Sequence, residues 1–106
     1  MQTIFKSQQM NELIEKVEFW GLQKGILKKE NATKQCLKMV EEVGEVSREL
    51  IHNDTDKLKL ELGDVAVTLI ILAAQNGFDI KDCLQAALDK IKDRQGATVD
   101  GVFIKN

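Results

Sequence analysis

The sequence predicts an all-α fold: a four-helix bundle-like domain that ends in a short β-hairpin. Three observations carry that expectation. The 106 residues contain no proline, the residue that most often breaks a helix. Apolar residues recur at spacings of three and four in four stretches, with glycine, Asn or Asp at their ends. Near the C-terminus the pattern changes, and Asp100-Gly101 sits between apolar residues as a two-residue hairpin loop would. Length and composition fit one domain spanning 1–106, with 43% hydrophobic and 30% charged residues, the balance of a soluble folded chain.

The first helix is expected from Phe5 to Lys24. Met10, Leu13, Ile14, Val17 and Trp20 form its apolar stripe, and Gly25 supplies a left-handed stop. The second is expected from Ala32 to His52, with Asn31 as N-cap. Its inner face reads as Cys36, Leu37, Val40, Val43, Ser47, Leu50 and Ile51, with Gln35, Lys38, Glu42, Glu45 and Glu49 opposite. Asn53 to Asp56 reads as a turn whose acids are placed to cap the third helix, expected from Lys57 to Asn76. From Val65 onward that helix is apolar on every side, the pattern of a buried helix. In so small a protein this implies cover from a partner subunit as well as from its own core. Gly77 ends it. The fourth helix is expected from Ile80 to Gln95, with Asp79 as N-cap and Asp82 at the positive end of the dipole. Its inner face is Ile80, Cys83, Leu84, Ala87, Leu88 and Ile91, and Gly96 stops it.

Several classes of protein are excluded from the expectation. The longest apolar run, Val65 to Ala74, is about half of the roughly 20 residues a membrane span needs. No basic stretch followed by an apolar core marks a secretory signal. Cys36 and Cys83 have no metal-ligand spacing, and a helical domain of this composition does not require them to pair, so a reducing cytoplasm is expected. The net charge of −2 argues against a general nucleic-acid binder. The acid excess is concentrated between residues 31 and 64.

That stretch holds two acidic motifs, Glu41-Glu42-Val43-Gly44-Glu45 and Glu61-Leu62-Gly63-Asp64. Positions three apart lie about 60° apart around a helix and one turn along it, so Glu42 pairs with Glu45 and Glu61 with Asp64. The short turn between the helices predicts an antiparallel hairpin in which the two pairs face each other. Leu60 and Leu62 flank Glu61, and Asp64 precedes the apolar run, so both acids are expected to be partly buried. Crowded, buried carboxylates require a compensating cation. Lys or Arg would serve; so would a hard divalent ion such as Mg²⁺ or Mn²⁺, which an oxygen-only ligand set selects. A di-iron bundle is disfavoured, because it needs two Glu-x-x-His pairs and His52 is the one histidine. His52 reads as a surface or capping residue.

The order Glu-Glu-x-x-Glu, then Glu-x-x-Asp, resembles the signature of the MazG-like all-α NTP pyrophosphohydrolases, which are related to the dimeric dUTPases and dCTP pyrophosphatases. The wording from Leu37 to Glu45 and from Glu61 to Val65 carries the resemblance, joined by Lys90 to Gly96 and Asp100 to Phe103. The resemblance implies Mg²⁺-dependent hydrolysis of a nucleoside triphosphate to the monophosphate and pyrophosphate. It implies that Glu42, Glu45, Glu61 and Asp64 are metal ligands, and that Glu41 has a catalytic role, positioning the attacking water or supporting the ligands. Lys38, on the polar face with Glu42 and Glu45, is a candidate for the outer phosphates, as are Lys90 and Arg94. Ordinary surface charge is the competing reading for all three. Trp20 is a candidate to stack on a nucleobase or, as part of the first stripe, to pack in the core. Gln35 is a candidate for a base edge. Asp89 stands where relatives often carry Asn, which weakens phosphate binding by the fourth helix. A homodimer or homotetramer is implied. The competing function is a non-catalytic oligomeric helical module whose acids bind a structural cation or a basic partner.

Overall fold

A computed structural model describes residues 2–106. The chain forms α1 (Gln2–Gln23), a 3-10 turn (Lys29–Asn31), α2 (Ala32–Ile51), α3 (Thr55–Gln75), α4 (Ile80–Ile91), β1 (Gly96–Val99) and β2 (Val102–Lys105). Four helices followed by a small two-stranded hairpin is the architecture the sequence predicts. Among the described residues no helix is long and apolar enough to cross a membrane.

The helix ends follow local chemistry. After α1, the N–H of Gly25 donates to the carbonyl of Leu22 at 3.1 Å and that of Ile26 to Gly21 at 3.1 Å. This is the paired bonding of a left-handed C-terminal cap, and Gly25 has φ +70°. Gly77, at φ +77°, closes α3 in the same way. Asn53 does so for α2 at φ 55°, a conformation Asn tolerates better than most residues. Asp54 then accepts a bond from the Lys57 N–H at 3.1 Å and caps α3, which starts at Thr55 rather than Lys57. Asp79 caps α4 through the Lys81 N–H. The helix α4 stops at Ile91, one turn before the expected Gln95. Asp100 and Gly101 both have positive φ, at 50° and 81°, and join Val99 to its partner Val102 in the predicted hairpin loop.

The α2–α3 connection is short, and the two helices run antiparallel. Gln35 Nε2 donates to the carbonyl of Thr68 at 3.3 Å, so the start of α2 lies beside the later part of α3. Across this hairpin lies α1. Its Gly21 is buried where α1 meets Ile71, which is fully enclosed. Gln75 donates to the carbonyl of Ile26 at 2.9 Å and ties the loop after α1 to the end of α3.

The expected inner face of α2 is reversed. Leu37, at 65% exposure, and Ile51, at 77%, point to solvent with Val40, Val43 and Leu50. The covered side carries Gln35, Met39, Glu42, Glu45, Val46 and Glu49. An apolar stripe marks a face that gains from burial without naming what buries it, and in the isolated chain the acidic side takes the place against α3. On α4 there is no such reversal: Ile80 is half-buried, and every residue from Lys81 to Ile91 is exposed, so Cys83, Leu84, Ala87, Leu88 and Ile91 are uncovered with no other face buried in their place. In the α1 stripe Ile14 is buried and Val17 half-buried, while Met10, Leu13 and Trp20 remain exposed. Cys36 and Cys83 are free and exposed.

Candidate metal centre

Antiparallel pairing of α2 and α3 brings three of the four predicted ligands together. One carboxylate oxygen from each of Glu42, Glu61 and Asp64 lies within 4.8 Å of the others. Glu42 and Glu61 are half-buried and Asp64 is exposed, so the partial burial expected of Asp64 is not found. Asp64 sits at the rim of the pair, where the groove between α1 and α3 begins. Glu45 lies outside this close group, its nearest cation being Arg48 at 3.9 Å.

The group is electrostatically unfinished. Glu61 is raised above its ordinary value, first by a proton-sharing contact with Glu42, then by desolvation, and further by the charges of Glu42, Asp64 and Glu45. Its Oε2 is buried and has no hydrogen-bond partner. The nearest basic group is Lys38, whose Nζ lies 3.4 Å from Glu42 and 3.7 Å from Glu41. The hydrogen bond to Glu42 and the charges of both acids raise Lys38 above its ordinary value. Lys38 thus neutralises Glu42 from the outer side and leaves the Glu61 oxygen unpaired. An all-oxygen donor set with an orphaned buried oxygen fits a hard divalent cation.

Glu41 is exposed, pairs with Lys38 and is not part of the close group. Gln35 spends its amide N–H on Thr68, which makes it a tie between α2 and α3. Trp20 is 46% exposed and lines a cavity of about 380 Å³ with Lys16, Val17, Asp64 and Val67. The cavity therefore opens beside the acidic group. Sequence reading passed over Lys16 and Val67. Lys16 stands one turn before Trp20 on the same face, and that i, i+4 spacing was the available signal. Lys90 and Arg94 do not line this cavity and form no ion pair among the described residues. Arg94 lies beyond the end of α4, so it does not share the helix with Lys90 as the expected span to Gln95 would have placed it. Asp89 is held locally by Gln85 at 3.0 Å and Lys92 at 3.5 Å.

Residues 28–98, about two thirds of the chain, match the MazG nucleotide pyrophosphohydrolase domain family. The chain belongs to the MazG family. The matched span holds both acidic motifs and the whole α2–α3 hairpin. MazG domains are nucleotide pyrophosphohydrolases, typically dependent on divalent cations, so both the hydrolase class and the acidic group agree with membership. A similar protein from Haemophilus phage HP1 (strain HP1c1), named "Uncharacterized 18.2 kDa protein in rep-hol intergenic region", is 33% identical over 70 residues. That match covers 66% of this chain and 43% of the phage protein. The matched segment thus spans less than half the length of this relative. No solved structure matches this MazG chain.

Proposed function

We propose that this protein is a Mg²⁺-dependent pyrophosphohydrolase that converts nucleoside or deoxynucleoside triphosphates to monophosphates and pyrophosphate. The observation that carries the reading is the convergence of Glu42, Glu61 and Asp64 around a buried, unpartnered carboxylate oxygen, in the segment that matches the family. In this reading those three acids hold the cation and Glu45 completes the set. Mn²⁺ is the expected substitute, since both ions take carboxylate oxygen. A divalent cation bound there supplies neutralising charge and an acidified water.

The chain's own groups do the rest. In the reaction, a water oxygen attacks the α-phosphorus, the bond to the β-phosphate oxygen breaks, and pyrophosphate leaves. Lys38, on the outer side of Glu42, is positioned to meet phosphate oxygens and pairs with Glu41 nearby. Glu41 is proposed to orient the water or support the ligands, acting from the exposed side. Trp20 and Val17 on α1 and Val67 on α3 are the apolar walls against which the nucleoside is held. Lys90 and Arg94, away from this cavity, are proposed as secondary phosphate contacts. The service is proposed to be cytoplasmic clearance of surplus or non-canonical nucleotides.

Self-association as a homodimer or homotetramer is part of the proposal. The chain exposes 8501 Å². A compact monomer of 11.9 kDa exposes about 6,000 Å². The surplus of about 2,500 Å² exceeds the roughly 800 Å² that each partner contributes to an ordinary stable interface. The outward apolar side of α2 is the face a second copy would cover.

Pyrophosphate release from a panel of ribo- and deoxynucleoside triphosphates with Mg²⁺ or Mn²⁺ tests the reading. Release is expected from the native protein and abolished in Glu42→Gln and Glu61→Gln, with helicity intact by circular dichroism. No release from any nucleotide would favour the non-catalytic module instead.

A further inference from the structure

The cavity beside Asp64 has an unusual inventory of polar groups. Its lining is Lys16, Val17, Trp20, Asp64 and Val67. Asp64 shares the acidic group with Glu42 and Glu61, so in the reading proposed above it belongs to the phosphate end of the substrate. An exocyclic amine bound there would put the base, not the phosphates, on the acids. The other polar groups among the lining residues are the Lys16 ammonium and the Trp20 indole N–H. Both groups donate hydrogen bonds and neither accepts one. Lys16 forms no ion pair among the described residues, so its donors are uncommitted.

We propose that these two donors make the protein selective for nucleotides with keto bases over those with amino bases, and that Lys16 is the residue that sets the preference. The inference rests on the pyrophosphohydrolase reading of the same site. Uracil and thymine present a carbonyl oxygen at position 4, and guanine and hypoxanthine present one at position 6. Cytosine and adenine present an amine at the same edge. The carbonyl accepts from Lys16, whereas the amine meets a donor, finds no acceptor and is left unpaired on desolvation. A site built to hydrogen-bond one group discriminates strongly against the analogue that cannot return the bond. Because Lys16 is exposed, the expected preference is modest, about tenfold.

Two substrate pairs isolate the edge, UTP against CTP and ITP against ATP, since each pair differs at the proposed contact and shares sugar and phosphates. The kcat/KM ratio is expected to be about ten in each pair for the native protein and to approach one in Lys16→Met, through loss on UTP and ITP. A native ratio near one, an unchanged ratio in Lys16→Met, or an equal fall on all four nucleotides would each overturn the inference while leaving the hydrolase reading intact. Trp20 is the one tryptophan in the chain and gives an independent readout. Its fluorescence is expected to be quenched at about tenfold lower concentration by a non-hydrolysable UTP analogue than by its CTP counterpart, with Mg²⁺ present. Selective quenching without pyrophosphate release would support the base preference and count against hydrolysis. Neither quenching nor release would overturn both.

Discussion

Along α2, Gln35, Met39, Glu42, Val46 and Glu49 are covered by the rest of the chain, whereas Leu37, Val40, Val43, Leu50 and Ile51 face solvent. An isolated amphipathic helix would do the opposite, because burying carboxylates costs free energy and burying Leu and Val gains it. The contrast is informative because the two sides need different partners. The acidic side closes on the acids of α3 and is left with an unpaired oxygen, which a small cation satisfies. The apolar side is too extensive for any small ligand and, in the proposed reading, is covered by a second copy. One helix therefore states two requirements, and each can be removed separately.

The largest effect is expected on the acidic side. Glu61→Gln should lower pyrophosphate release at least about 100-fold, since a ligand is lost from the group that carries the charge of the reaction. The same change should not lower Tm in the absence of divalent ions, because it removes repulsion from Glu42. An unfolded variant would break the comparison. On the apolar side, Val40→Asp should shift the mass measured by light scattering from an oligomer to a monomer, with helicity retained. A native protein already monomeric at micromolar concentration would show that the apolar face has no second copy to meet.

A smaller effect concerns pH. In the metal-free protein Glu61 is raised above its ordinary value of 4.5, so its protonated form favours the fold. That contribution is fully present below 4.5 and is lost as pH rises through the higher folded value. Thermal melts without divalent ions should show Tm falling over this range in native protein and less so in Glu61→Gln. Added Mg²⁺ should restore stability most at the upper end, where the acids are ionised. The smallest effect is expected at α4: Lys90→Ala and Arg94→Ala should each change kcat/KM by no more than about threefold, as exposed charges without partners do. A tenfold loss in either would make that residue a principal rather than a secondary phosphate contact.

The elements themselves were legible because their signals are local. Gly25, Gly77, Asp79 and the Asp100-Gly101 pair sit at turns or ends whose geometry depends on neighbouring residues. The facing of Glu42 with Glu61 and Asp64 was legible for a related reason: helical spacing and a short connection leave few other arrangements. The direction of α2's apolar stripe was not, since periodicity fixes which residues share a face but not which neighbour lies against it. Nor was the end of α4, because nothing between Lys92 and Gln95 forbids another turn; the chain leaves the helix there to enter the hairpin. Lys16 went unnoticed because its place at the cavity arises only when α1 lies across α3.

At the crossing of α1 and α3, a Cβ added to Gly21 would lie 2.5 Å from Ile71 Cδ1 and 3.0 Å from Leu27 Cδ2. Gly21 follows Trp20 directly, so the absence of that one atom sets the spacing of the two helices next to the cavity wall. It works as a caliper: with Ile71 fully enclosed, Gly21→Ala has to lift α1 or swing the Ile71 methyl aside. If α1 lifts, Trp20 is carried away from Val67 and the slot widens. The fineness of base discrimination would then be tuned by a backbone contact that never touches the nucleotide.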